Sequence, residues 1–393
     1  MTASSLHTES FLGVRIVFRA DASLQLGSGH IMRCLTIADA LKAPGVKCQF
    51  ISRAHTGHLM EVIRQRGYEV ISLAAPLLQS FSTSQNFAGG TEESEPPPPH
   101  EPMHAGFLGV TWQADAQETV AALLGRLPDW LVVDHYALDR RWEEVVATCC
   151  KKLMVIDDLA DRSHLCDLLL DQNLGRQPND YAALVPTYCR VLTGPEYALL
   201  RPEFAALRTY SLQRRQGDPA IHQLLITMGG VDKDNVTGQV LQALNSCDLP
   251  SECRITVVMG LTAPWLQNVQ ELAAQMPWRT EVVVNVDDMA QRMSDSDLAI
   301  GAAGSTAWER CCLGLPTLMV VLAENQQLGA YALEAVHGAI LIDTLSSIAT
   351  QLPTAIIALI NSDLQSKMSL AASAVTDGHG VQKILRAMRV INA

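Results

Sequence analysis

Arg15-Ile-Val-Phe-Arg19-Ala-Asp21-Ala-Ser-Leu-Gln-Leu-Gly27-Ser-Gly29-His30-Ile-Met-Arg33-Cys-Leu-Thr-Ile-Ala-Asp-Ala-Leu41 reads as strand, loop and helix. Ile16, Val17 and Phe18 form a short apolar run, Gly27 and Gly29 punctuate the chain, and Ile31, Leu35, Ala38 and Leu41 then recur at helical spacing. His30 therefore falls in the first turn of a helix. Free backbone N–H groups and the positive end of the macrodipole disfavour added positive charge there, so a neutral imidazole is expected, able to take a proton from water or orient it. The two glycines let a substrate approach the backbone. A Gly-Ser-Gly turn with His30 as a surface cap fits the same residues. Position 32 is methionine where a dinucleotide fingerprint needs its third glycine, so dinucleotide binding is not indicated.

Outward from this stretch the pattern repeats. Val46–Ser52, Tyr68–Leu73, Trp130–Asp134, Lys152–Ile156, Cys166–Asn173 and Arg190–Thr193 read as strands, with helices over Glu61–Arg66 and Ala114–Leu127. That alternation predicts a parallel sheet covered on both faces. Residues 79–105, with Glu95-Pro-Pro-Pro-Pro-His100, cannot bury a core and read as an exposed insertion. Residues 208–220, rich in Arg, Gln and Gly, read as a linker. A second alternation follows, with strands at His222–Met228, Arg254–Met259, Glu281–Val284, Asp297–Gly301 and Thr317–Leu322.

The expected architecture is α/β, two doubly wound Rossmann-like domains facing across a cleft. The N-terminal domain is placed at 15–207 and the C-terminal domain at 221–393, its last helices free to return to the N-terminal one. A chain of 393 residues fits two such cores.

Composition narrows the partners. A net charge of −12 argues against nucleic acid or an anionic membrane surface, and no apolar run reaches spanning length. The ten cysteines show no C-x-x-C and no zinc spacing, and no signal peptide is evident, so a reducing cytoplasm is expected.

Ligand chemistry is expected where strands end. Tyr136 follows the strand ending at Asp134, on the same rim as the glycine loop, where a buried tyrosine capping a strand is the alternative. Asp157-Asp158 fits acid-base work, a metal, or simple capping of the next turn. In the second half, Gly304-Ser305-Thr306 opens a helix after a strand, so N–H groups and two hydroxyls suit a diphosphate. Glu309, one turn along the face of Ser305, suits a ribose diol, and Gly229-Gly230 gives a second close approach. No lysine stands at the Walker position.

Together these segments resemble the UDP-2,4-diacetamido-2,4,6-trideoxy-beta-L-altropyranose hydrolase family of pseudaminic acid biosynthesis. The matching residues are Phe18-Arg-Ala-Asp-Ala, Gly27-Ser-Gly-His-Ile-Met-Arg33, Asp134-His-Tyr136, Ile156-Asp-Asp-Leu-Ala-Asp161, Gly194-Pro-Glu-Tyr-Ala-Leu-Leu-Arg-Pro-Glu-Phe204, Met228-Gly-Gly230, Gly301-Ala-Ala-Gly-Ser-Thr-Ala-Trp-Glu-Arg310 and Ala323-Glu-Asn-Gln326. The insertion at 79–105 departs from the family. The resemblance implies a GT-B-like fold, a UDP-linked diacetamido sugar as substrate and water as attacking group, with the sugar and catalysis on the N-terminal domain and the nucleotide on the C-terminal domain. By motif His30 matches the catalytic histidine, Tyr136 and Asn325 its active-site partners, and Glu309 the ribose ligand. Arg19, Gly27, Gly29 and Gln326 join the candidate binding residues, and Asp21 either holds the imidazole or binds a sugar hydroxyl.

UDP departs as a stable anion that helix N-termini at Gly304–Thr306 and Gly229-Gly230 would stabilise, so one water proton remains to be handled and neither metal nor cofactor is required. Direct displacement with inversion follows. A UDP-sugar glycosyltransferase, with Phe11, Leu24 and Leu26 near an acceptor, and a silent nucleotide-sugar-binding subunit are the competing readings. Oligomeric state is not legible.

Overall fold

The computed structural model describes residues 13–42, 45–76, 101–125, 127–217, 220–261, 263–360 and 363–390. Most of the proline-rich insertion lies outside the described residues. The chain divides into two compact units, one of residues up to Leu170 plus Pro178–Val191, the other of Asp171–Gln177 and Leu192 onward.

In the first unit β1 (Arg15–Ala20), α1 (Gly29–Ala40), β2 (Lys47–Arg53), α2 (Met60–Gln65), β3 (Glu69–Leu73), α3 (Trp112–Leu123), β4 (Trp130–Asp134), α4 (Arg140–Val146), β5 (Leu153–Ile156), β6 (Leu168–Asp171) and β7 (Arg190–Thr193) follow in order. Among the described residues they build a seven-stranded sheet in the order β3-β2-β1-β4-β5-β6-β7. The ladders from β3 through β6 are parallel. Strands covered on both faces read as unbroken apolar runs, as in Leu131-Val-Val133. Val17, Leu131, Val133 and Leu169 pack with Trp142 of α4 on one face. On the other, Phe18 stacks on Phe50 with ring centroids 4.8 Å apart. Each such buried side chain contributes about 1.5–3 kcal/mol.

The second unit repeats the winding. It contains α5 (Pro202–Arg214), β8 (Gln223–Thr227), α6 (Val236–Leu244), β9 (Arg254–Met259), α7 (Leu266–Ala273), β10 (Arg279–Val284), α8 (Met289–Asp295), β11 (Leu298–Ala302), α9 (Thr306–Cys312), β12 (Thr317–Val320), α10 (Gln327–Ala335), β13 (Ile340–Ile342), α11 (Ile348–Leu359), α12 (Leu364–Ser373) and α13 (Gly380–Ala387). The sheet order is β10-β9-β8-β11-β12-β13, parallel throughout. The fold is thus two doubly wound α/β domains.

The linker expected at 208–220 is corrected in part: up to Arg214 it is the second half of α5. The arginines that look solvated in the sequence satisfy carbonyls at helix ends instead. Arg208 donates to Cys312, Ser373 and Thr376, and Arg215 to Met293, Ser294 and Ser296. Helix α13 packs on the turn Pro195–Tyr197, but that turn is itself part of the second unit. No single described helix is long and apolar enough to cross a membrane.

Candidate active site

In the first sheet the strand order reverses beside β1, and ligands of open α/β sheets collect outside the carboxyl ends of strands at such a point. Register pairs Ala20 with Asp134, so Asp21 and His135 fall on the next rung. His30 is the second residue of α1, and its Nδ1 lies 2.5 Å from Oδ1 of Asp134. Arg33, three residues further on, clamps the same carboxylate through Nε to Oδ2 at 2.5 Å and Nη2 to Oδ1 at 2.6 Å. Burial opposes ionisation of Asp134, but Arg33 and then His30 overcome it and hold the carboxyl well below its ordinary range. An ionised carboxylate only accepts, so Nδ1 of His30 carries a proton, and in the neutral ring the lone pair is then on Nε2. His30 is 4% exposed, so any attacking water has narrow access to the ring.

Tyr136 meets His30 edge-on, centroids 4.5 Å apart at 82°. Its hydroxyl donates to Oδ2 of Asp158 at 3.1 Å, and Arg33 reaches the same oxygen at 2.7 Å. The structure thus brings His30, Tyr136, Asp134, Arg33 and Asp158 together. The other carboxylate of the pair has a different task. Asp157 accepts from the Ala160 N–H and the Tyr181 hydroxyl and pairs with Arg162, which is turn capping and bracing.

Asp21 and Arg19 are corrected. Both are fully buried, and Asp21 does not hold His30. Arg19 donates to Asp21 at 2.7 Å and to both oxygens of Asp115, and Arg53 also reaches Asp115 at 2.6 Å. Asp21 Oδ1 accepts further from the Arg53 N–H and Ser52 hydroxyl. Its Oδ2 lies 3.4 Å from Nε2 of His135 and 3.5 Å from Nε2 of His55. His135 Nδ1 accepts from the Ala137 N–H, so its proton is on Nε2, facing Asp21. These groups form a sealed foundation under the rim, and Arg19 has no open face for a substrate. Gly27, at φ +79°, has a backbone that favours glycine in the loop leading to His30.

The second sheet has its reversal beside β8, where Gly301 pairs with Thr227. Gly229-Gly230 and Gly304-Ser305 therefore leave neighbouring strand ends. Gly229 has φ +93°, and a Cβ on Gly260 would sit 1.9 Å from the Gly230 carbonyl oxygen, so this loop lies directly on the end of β9. The first-turn N–H groups of α6 are already taken, Val236 and Thr237 by Asp232 and Gly238 by Asn235. The expected contribution of that helix terminus is thus corrected: what remains there is the glycine backbone.

Ser305 is exposed, and Thr306 Oγ1 accepts from Arg310 at 3.2 Å, which leaves its O–H to donate. Gln326 turns Oε1 to the Leu322 N–H, with Nε2 3.8 Å from where a Cβ of Gly304 would lie. Asn325 stands in the same short turn, half-buried. Glu309 is half-buried, and burial pushes its carboxyl up to about 7 against the pull of Arg201 and Arg310. Sequence reasoning quoted Asp134 and Arg33 without giving either a role. An arginine three residues after the histidine on a buried helical face was the available signal for one; the other needs the register of β1 and β4.

The fold and these two rims define the class: a two-Rossmann protein of GT-B type. Residues 224–384 match the Glycosyltransferase family 28 C-terminal domain. The chain is 23% identical over 316 residues to the UDP-2,4-diacetamido-2,4,6-trideoxy-beta-L-altropyranose hydrolase of Campylobacter jejuni, covering 80% of this chain and 94% of that protein. An uncharacterized protein of Methanocaldococcus jannaschii is 23% identical over 317 residues, covering 80% of this chain but 56% of that longer relative. Among solved structures, Acinetobacter baumannii MurG superposes with a TM-score of 0.65 at 14% identity, covering 96% of this chain and 100% of MurG.

Proposed function

We propose that the chain hydrolyses a UDP-linked diacetamido-trideoxy sugar to free sugar and UDP. The hydrogen bond from His30 Nδ1 to Asp134 carries the reading, because it leaves Nε2 as the atom that accepts a proton. Water gives one proton to Nε2 as its oxygen bonds to the anomeric carbon. The carbon–oxygen bond to phosphate breaks on the opposite side, its electron pair leaves with UDP, and the configuration inverts. Asp134 stabilises the imidazolium so formed, and Arg33 fixes that carboxylate in direction. Tyr136 borders the imidazole and lines the sugar side. The diphosphate is assigned to the backbone of Gly229-Gly230 and Gly304-Ser305, with Asn325 and Gln326 beside it, and the ribose diol to Glu309. Such contacts act on charge that grows as UDP leaves. The named relative in Campylobacter jejuni supports this substrate. The match to a glycosyltransferase domain supports transfer to an acceptor as the second reading.

The test mixes purified protein with the UDP-diacetamido sugar in ¹⁸O-labelled water without acceptor, followed by NMR and mass spectrometry. Equal release of UDP and of sugar carrying the label is expected. Turnover that requires an acceptor replaces hydrolysis by transfer, and binding without turnover makes the chain a carrier. His30→Ala is expected to slow release by about a thousandfold while UDP affinity stays within about threefold.

A further inference from the structure

The chain returns from the insertion through Met103 and His104 into a single 3-10 turn, Ala105–Leu108. That turn is anchored. Leu108 is buried, and Gly109 follows at φ +72°, where a Cβ would lie 2.5 Å from Pro76 Cγ and 3.1 Å from His55 Cε1. Three residues apart in such a turn, side chains eclipse. His104 accordingly stacks on Phe107, centroids 5.3 Å apart at 5°. It also faces Tyr136, 5.6 Å away and tilted by 45°. Tyr136 in turn stands edge-on to His30. Four rings thus run in series from the anchored turn to the imidazole held by Asp134.

We propose that His104 is a positioning residue for the His30–Tyr136 pair. Braced by Phe107, its ring holds Tyr136 against His30, so that the direction of Nε2 is set from both sides, by Asp134 through Nδ1 and by Tyr136 against the ring. Aromatic pairs of this kind contribute beyond their buried area and restrict one another's rotation. The consequence for turnover rests on the hydrolytic reading; the ring geometry does not.

The experiment compares wild type, His104→Ala and His104→Phe as full-length chains, with melting temperature recorded for each. In His104→Ala, kcat for sugar release is expected to fall about tenfold with KM within about threefold. The His30 ring-proton resonances are expected to move as the ring current of Tyr136 is displaced. His104→Phe keeps the stack and is expected to restore both. Unchanged kcat and resonances in His104→Ala overturn the proposal, as does a His104→Phe as slow as His104→Ala. If wild type releases no sugar, hydrolysis has failed by itself and the resonances still decide. Unmoved in His104→Ala they end the proposal; moved there and restored in His104→Phe they uphold it.

Discussion

The two sheets share one winding and finish their strands in opposite styles. At the N-terminal rim, side chains are tied to side chains: His30, Arg33, Asp134, Tyr136 and Asp158 above, Arg19, Asp21, Arg53 and Asp115 beneath. At the C-terminal rim glycines predominate, and Gly229, Gly230 and Gly304 present main chain. On the proposed function, the first style preorganises a proton acceptor with rigid partners and the second admits a bulky anion by leaving side chains out. One winding can carry both styles because each depends on the residues just past the strand ends.

That contrast can be broken at its strongest point by Asp134→Asn. The amide cannot hold the Nδ1–H tautomer as a carboxylate does, so kcat is expected to fall about a hundredfold or more, with UDP affinity within about threefold. Equal losses in both would mean that the N-terminal rim binds nucleotide and that the two rims are not divided by task.

A smaller effect sharpens the other side. Gly260→Ala places a Cβ against the Gly230 carbonyl and must push that loop aside. UDP affinity is expected to drop about tenfold by calorimetry, the loss of one to two backbone contacts. Unaltered affinity would remove Gly229-Gly230 from the diphosphate site.

The mildest test is Glu309→Gln. With its carboxyl lifted to about 7 from the usual 4.5, the folded protein keeps a proton that the unfolded chain has lost. Glu309 therefore costs stability increasingly across that window and fully above it. The variant is expected to gain on the order of 2 kcal/mol near pH 8 in urea melts, after discounting for partial exposure, and nothing near pH 4. It is also expected to bind UDP a few-fold more weakly near pH 8, converging with wild type below pH 7, because a diol prefers the ionised carboxylate. A variant that gains stability without losing affinity would take the ribose away from Glu309.

Much of this was readable from the chain. Trp130–Asp134 and Arg254–Met259 are strands over the very residues that their apolar runs mark, because strands buried on both faces need no partner information, and the half-buried end strand Arg190–Thr193 also falls where its sequence marks it. His30 became a candidate through local signals, glycines before a helical period. What escaped depends on distant pairing. Asp134 lies 104 residues from the imidazole that it orients, and only the β1–β4 register reveals it. Asp21 looked adjacent in sequence, yet its charge is paired with Arg19, its Oδ1 accepts from the β2 end and its Oδ2 faces His135 and His55. Residues 208–214 were misjudged because arginines aimed at carbonyls have the same composition as arginines aimed at water.

The Arg19, Asp21, Arg53 and Asp115 quartet has no measurable exposure, and Glu118, which also pairs with Arg53 at 2.7 Å, sits at its outer edge. Dissolved ions do not reach such a cluster, and screening scarcely acts inside it. An ionic-strength titration of this protein would consequently register the charge on an incoming ligand rather than the charges on which the rim is built, which makes salt a clean probe of what the protein binds.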